Sequence, residues 1–150
     1  MASTGHEAWR GKPKMNVACW IENWARATPE KAAVRFEGRE LSYPQFDEAI
    51  RASARMLRNV LGVKPGDRVA LLAQNELEYL EIQAACVRSG FTLVPLNWRL
   101  AVPELEYIVG DCTPTVVIAG RGEEERVVRI AAAGSPRLVG LGEPGQVEAY

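Results

Sequence analysis

The sequence contains one histidine, His6, and three cysteines, Cys19, Cys86 and Cys112. A single imidazole excludes a histidine metal cluster, and its place in a polar leader leaves no suitable base for a Ser-His-Asp or Cys-His mechanism. An odd number of widely spaced cysteines is typical of reduced thiols and unlike a disulfide framework. We therefore expect a cytoplasmic protein in which this chain supplies no metal ligand and no catalytic residue.

Long apolar runs and an excess of positive charge are also missing. No apolar run approaches the roughly 20 residues that a transmembrane helix needs, although contact with a membrane surface stays open. Lys and Arg number 18 against 19 Asp and Glu, which gives a net charge of −1 and no field to attract nucleic acid. With 150 residues, 47 % of them hydrophobic and 25 % charged, the composition is that of one folded domain.

The first 15 residues differ in pattern from the rest of the chain. Most of them are polar or small, they include Gly5, Gly11 and Pro13, and they have no continuous apolar segment of the kind that signal peptides carry. We predict a flexible leader over residues 1–15 and one folded unit over residues 16–150.

The first part of the folded unit predicts a helix, a hairpin and a second helix. Apolar residues at helical spacing after Asn16 predict a helix over residues 17–27. Two short extended runs around Gly38 predict a β-hairpin with strands over residues 33–36 and 40–43. Ser42 followed three residues later by Gln45 has the form of a capping box, so a second helix is expected from there to Gly62.

The remaining chain alternates short apolar runs with amphipathic segments. Continuous apolar runs of this length are typical of strands that are covered on both faces. Strands joined by helices through short loops imply a mostly parallel sheet with helices on both faces, so the predicted class is α/β with an N-terminal β-hairpin. The predicted strands are residues 69–73, 91–96, 115–119 and 137–141, and the intervening helices are one capped by Asn75 and ending at Gly90, one over residues 104–111, and one beginning at residues 123–125.

Several patterns that could carry chemistry have a simpler interpretation. Gly140, Gly142 and Gly145 spell Gly-x-Gly-x-x-Gly, but Pro144 interrupts the helix start that a dinucleotide site requires, so we expect an ordinary loop. The glutamates after the first apolar strand and after Pro103 fall on the polar sides of helices, where carboxylates near the N-terminus are stabilising. We therefore assign no acid–base pair.

Trp98 and Arg99 are the most suggestive local feature. They follow a predicted strand, at the carboxyl end where open α/β sheets bind ligands. An indole beside a guanidinium can hold a nucleotide-like or phosphorylated group by stacking and charge. The alternative is structural: Trp98 covers the edge of the core while Arg99 pairs with Glu104.

The order of several motifs is similar to the opening of the AMP-forming acyl-CoA synthetases, the adenylating superfamily that includes luciferases and nonribosomal adenylation domains. The resemblance covers about residues 16–142 and is nearest to the bacterial fatty-acid–CoA ligases. The motifs that carry it are Leu41-Ser42-Tyr43, Gly66-Asp67-Arg68-Val69-Ala70, Gln74-Asn75 and Val94-Pro95-Leu96-Asn97-Trp98-Arg99-Leu100.

This resemblance implies an α/β subdomain of a larger adenylating-enzyme N-terminal domain. The implied reaction joins a fatty or related carboxylic acid to coenzyme A through an acyl-adenylate, with ATP and Mg²⁺ as further requirements. Trp98, Arg99 and Arg126 lie in loops that resemble those facing coenzyme A in the family, so the resemblance assigns them to cofactor binding.

The family's phosphate loop, which ends in Pro-Lys-Gly, and its later nucleotide motifs and lysine are not found in this sequence. The resemblance therefore implies an N-terminal fragment, truncated before the phosphate loop, that is inactive alone and binds none of these cofactors tightly. Its partners would be the acid, coenzyme A and the remainder of the adenylating domain, in an oligomeric state that the sequence does not reveal. The alternative is a stand-alone binding or interaction module built on the same subdomain.

Overall fold

The computed structural model describes residues 17–131, 136–141 and 148–149. The predicted leader lies outside these ranges, and so do Gly142 and Gly145 of the glycine pattern. Within the described ranges, no helix is both long enough and apolar enough to cross a membrane.

The predicted α/β class is confirmed. An antiparallel hairpin of β1 and β2 precedes a five-stranded parallel sheet in the order β4-β3-β5-β6-β7. The strands are β1 Ala32–Phe36, β2 Arg39–Ser42, β3 Arg68–Leu72, β4 Thr92–Leu96, β5 Val116–Ala119, β6 Arg137–Gly140 and β7 Glu148–Ala149. The helices are α1 Val17–Ala27, α2 Tyr43–Arg55 with a π-helical continuation Met56–Val60, α3 Leu77–Ser89, α4 Val102–Cys112 and α5 Glu124–Ile130.

The hairpin turn consists of two residues with positive φ. Glu37 has φ 47° and Gly38 has φ 79°, the pair of left-handed conformations that a type I′ turn requires. Such a turn matches the twist of two paired strands, which explains why β1 and β2 meet directly at Phe36 and Arg39.

The capping box at the start of α2 is confirmed. The Ser42 hydroxyl accepts from the Gln45 backbone N–H at 3.4 Å, and the Gln45 side chain accepts from the Ser42 N–H at 2.8 Å. The predicted run to Gly62 is present, but its last turn is a π-helix in which Leu61 N–H donates to Met56 O at 3.1 Å. Apolar spacing over a single turn does not distinguish these wider bonds from α-helical ones.

Two helix starts differ from the sequence prediction. The N-cap of α3 is Glu76, not Asn75, and its carboxylate makes no capping bond to its own helix. Helix α4 begins at Val102, two residues earlier than expected, since Pro103 fits its first turn and Glu104 accepts from Ala101 N–H at 2.7 Å.

Strand β3 lies between two apolar cores. Val69 and Leu71 pack on one face, in the core that α2 and α3 cover. Ala70 and Leu72 pack on the other face, against α4 and α5. All four side chains are fully buried, as the continuous apolar run predicts for a strand with helices on both sides.

A partly buried ion cluster centred on Asp47 joins α2 to α3. The Asp47 carboxylate accepts from Arg51 Nε and from Arg88 Nη1, each at 2.8 Å, and Arg88 also contacts Glu22 of α1 at 3.2 Å. Burial opposes ionisation of Asp47, but the hydrogen bonds from Arg88 and Arg51 outweigh it, so the pKa of this carboxyl lies below its ordinary value of 3.8.

We expect Asp47→Asn to lower the free energy of unfolding by about 1–3 kcal/mol, because two arginines lose a charged acceptor in a buried site. A lowered folded-state pKa means that the stabilisation is complete above pH 3.8 and is lost as the pH falls below it. The variant should therefore lose less stability than the wild type over that acidic range. Urea unfolding at neutral and acidic pH measures both effects.

Glu48→Gln is the matched control, since Glu48 lies on the same helix and pairs with Arg55 at the surface. Its effect should stay below about 1 kcal/mol. Equal losses in the two variants would contradict the importance of the buried cluster.

Candidate functional site

The carboxyl ends of three neighbouring strands lie at one edge of the sheet. Leu72 of β3 is in register with Leu96 of β4 on one side and with Ala119 of β5 on the other. The loops that follow these residues therefore leave the sheet at the same level. In open parallel sheets this edge is where ligands bind.

Trp98 and Arg99 lie in the loop after β4. The Asn97 side chain accepts from the Arg99 backbone N–H at 3.0 Å, which fixes a tight turn. The Arg99 guanidinium lies 4.3 Å from the centroid of the Trp98 ring, within the range of a cation–π contact. Trp98 is half-buried against the core, whereas Arg99 is exposed.

The structural alternative for this pair holds for Trp98 and not for Arg99. Trp98 covers the edge of the core, as the structural alternative expects. Within the described ranges Arg99 makes no ion pair with Glu104, whose carboxylate caps its own helix by accepting from Ala101 N–H. The Arg99 charge is thus held by an aromatic face and presented to solvent at the carboxyl edge of the sheet.

Arg126 of α5 reaches the same loop. Its guanidinium donates to Trp98 O at 2.8 Å through Nη1 and to Leu100 O at 2.6 Å through Nη2. The Glu123 carboxylate, which is 5 % exposed as a residue, accepts from the same Nη1 at 2.7 Å. The structure therefore brings all three predicted site residues together at one edge.

Arg121, in the loop after β5, is a member of this edge that the sequence analysis missed. Its backbone N–H donates to Glu76 at 2.9 Å, and its side chain donates to Glu76 at 2.8 Å and to Glu78 at 2.9 Å. These glutamates lie about 45 residues away in the sequence, so no local pattern signals the contact. The cluster ties the start of α3 to the β5 loop.

The two glutamates respond differently to this environment. Burial raises the pKa of Glu76, whereas hydrogen bonds from Arg121 lower the pKa of Glu78. Both carboxylates are engaged by Arg121, which links them to the loop after β5.

Gly120 is required by the close approach of the β3 and β5 loops. A Cβ atom at this position would lie 2.6 Å from Ala73 Cβ and 2.8 Å from Ala73 Cα, and it would also overlap the Glu76 carboxylate. Because both Ala73 atoms are fixed close to the backbone of the packed neighbouring loop, the clash cannot be relieved by rotating a flexible side chain.

The thiols and carboxylates of the described ranges form no metal centre. Among these residues, no group of three or more His, Cys, Asp or Glu side chains is placed to hold a metal ion. Cys86 is buried, and burial raises the pKa of its thiol to about 12. It is therefore a protonated core residue at neutral pH.

An open parallel α/β sheet with helices on both faces defines a domain of the doubly wound class. Residues 21–146 match the family model described as "AMP-binding enzyme". This match covers most of the sequence. The chain therefore belongs to the AMP-binding enzyme family.

Curated relatives include thioester-forming ligases. The chain is 41 % identical over 116 residues to a feruloyl-CoA synthase of Amycolatopsis, which is 77 % of this chain and 23 % of that protein. It is 37 % identical over 119 residues to a fatty acid–acyl-carrier-protein ligase of Streptomyces coeruleorubidus, covering 79 % and 23 % of the two proteins. The chain thus spans about a quarter of the length of these relatives.

A solved structure agrees with the fold. A fatty acyl CoA synthetase of Mycobacterium tuberculosis superposes with a TM-score of 0.74 and 29 % identity, over 89 % of this chain and 26 % of that one. The predicted resemblance to acyl-CoA synthetases and the prediction that the chain corresponds to an N-terminal portion are confirmed.

We expect Gly120→Ala to lower the free energy of unfolding by about 1–3 kcal/mol, because the added methyl group overpacks the contact between the two loops. Gly110→Ala is the matched control: Gly110 lies within α4, and an added Cβ there meets nothing within 4 Å. That change should raise stability by about 0.5–1 kcal/mol through helix propensity. Urea midpoints of the two variants should move in opposite directions, and a neutral Gly120→Ala would contradict the close approach.

Proposed function

We propose that the natural protein to which this chain belongs is an acid–thiol ligase. It would activate a fatty or related carboxylic acid with ATP, releasing pyrophosphate and forming an acyl-adenylate, and coenzyme A thiolate would then displace AMP. The observation that carries the proposal is the family match over residues 21–146. The relatives' names add that ligases with this N-terminal sequence join feruloyl and fatty acyl groups to thiols.

We further propose that Trp98, Arg99 and Arg126 form part of the coenzyme A site. Coenzyme A presents phosphate groups and an adenine ring, which suit a guanidinium and an aromatic face respectively. Arg99 fits this task because it is exposed beside the Trp98 indole, and within the described ranges it has no carboxylate within salt-bridge distance. An arriving phosphate would not have to displace a protein carboxylate from it.

The ATP and Mg²⁺ sites are assigned to other parts of the natural protein. This sequence carries no Pro-Lys-Gly phosphate loop, and its described residues offer no acidic cluster for a metal ion. We therefore propose that the 150-residue chain contributes to coenzyme binding and to the scaffold, while adenylation depends on residues outside it.

We expect the purified 150-residue chain to show no acid-dependent ATP–pyrophosphate exchange, and the natural full-length product to show it with at least one fatty or aromatic acid. The intact mass of the native product, measured first in its source cells, identifies the species to assay. A native product near 16.5 kDa that is monodisperse and inert would contradict the ligase and favour a binding module. If the 150-residue chain alone catalysed ATP–pyrophosphate exchange, the proposal that it is inactive by itself would be overturned.

We expect Arg99→Gln in the full-length ligase to raise the KM for coenzyme A about tenfold, because one charge-assisted phosphate contact is lost. The rate of acid-dependent pyrophosphate exchange should stay unchanged, since that half-reaction does not use the thiol. The measurement is steady-state kinetics with coenzyme A as the varied substrate. Unchanged kinetics with coenzyme A, or a preference for an acyl carrier protein as the thiol, would overturn this site.

A further inference from the structure

We propose that Arg126 acts as a positioning residue that presents Arg99, and that it does so without contacting the coenzyme itself. This inference rests on the proposed coenzyme A site. It assigns separate roles within that site: Arg99 contacts the coenzyme, and Arg126 holds the loop that carries Arg99. The observation behind it is that the Arg126 guanidinium is engaged by protein acceptors.

The two carbonyls bound by Arg126 flank Arg99 in the chain. Trp98 O and Leu100 O accept at 2.8 Å and 2.6 Å, so one side chain holds the peptide group that precedes Arg99 and the peptide group that follows Leu100. Asn97 holds the Arg99 N–H from a third direction. The backbone that carries the exposed guanidinium is thereby fixed before any ligand arrives, which reduces the ordering cost of binding.

The clamp joins parts of the sheet that are not neighbours. Arg126 lies on α5, which follows β5, whereas its target loop follows β4, and β3 separates these two strands. A connection of this kind can hold the loop after β4 against α5. The hydrogen bonds between neighbouring strands do not make that connection. It explains why a residue 26–28 positions away in sequence is needed at this edge.

Glu123 sets the orientation of the guanidinium. It is the N-cap residue of α5, and its side chain, which is 7 % exposed, accepts from Arg126 Nη1 at 2.7 Å. A forked guanidinium can serve this carboxylate and two carbonyls at once, whereas a lysine ammonium is a single point donor. The position therefore calls for arginine for reasons of geometry as well as charge.

The test is a double-mutant cycle on Arg99 and Arg126 in the full-length ligase, read as the KM for coenzyme A. Arg126→Gln should raise this KM about fivefold, and the Arg99→Gln/Arg126→Gln double variant should be no worse than Arg99→Gln alone. Interdependence of this kind is expected when one residue acts through the other. The KM for ATP and the pyrophosphate exchange rate should stay within about twofold of the wild type.

Two further measurements separate positioning from loss of the fold. Amide hydrogen exchange in the absence of coenzyme A should be faster at Arg99 in Arg126→Gln, with unchanged exchange in β3. Because that variant leaves a buried carboxylate without its partner, Glu123→Gln/Arg126→Gln supplies a version without the unpaired charge. Arg126→Lys should restore little of the affinity for coenzyme A. Arg129→Gln, an exposed change on the same helix, should behave as the wild type.

The outcomes are distinct. Additive effects of Arg99→Gln and Arg126→Gln would mean that Arg126 contacts the coenzyme directly, which overturns the positioning role. A wild-type KM in Arg126→Gln, with a raised KM in Arg99→Gln, would overturn the role while leaving the proposed coenzyme site intact. A wild-type KM in Arg99→Gln would overturn the coenzyme site itself and the positioning role with it.

Discussion

Strand β3 pairs with β4 on one side and with β5 on the other, and both cores and the candidate site depend on the register of these ladders. Side chains alternate between the two faces of a strand, so a slip by one residue would send Val69 and Leu71 into the core built for Ala70 and Leu72. The same register brings the carboxyl ends of the three strands to one level. Core packing and the placement of the candidate site are therefore set by one group of hydrogen bonds.

The secondary structure could be predicted wherever its signals are local. Helix α1 has the predicted bounds of residues 17–27, and the run at residues 69–73 differs from β3 by one residue at each end. The prediction of the N-cap is confirmed at Ser42, where both capping partners lie within three residues. The prediction of an N-cap at Asn75 is wrong, because α3 starts one residue later than expected. Glu76 occupies the capping position, and its carboxylate is engaged by Arg121.

From the residue pattern alone, the candidate site was predictable only in the residues that directly follow a strand, and Arg126 was assigned through the family resemblance. Trp98 and Arg99 follow an apolar run directly, so general knowledge of parallel sheets places them at the ligand edge. Arg121 donates hydrogen bonds to glutamates some 45 residues away in the sequence, and Arg126 donates to carbonyls 26–28 residues away. Contacts at such separations depend on strand order, which hydrophobic periodicity does not encode.

The three arginines at this edge differ in what satisfies their charge. Arg121 is paired with Glu76 and Glu78, and Arg126 is paired with the buried Glu123. Pairing of this kind stabilises loops, but it also occupies the donors that an anionic ligand would need. Arg99 instead contacts the Trp98 ring, which fixes the position of the guanidinium without pairing its charge with an anion. In the proposed coenzyme A site, two arginines therefore build the edge and leave the third available for a phosphate, and the contacts of Asn97 and Arg126 order the loop around it in the absence of ligand.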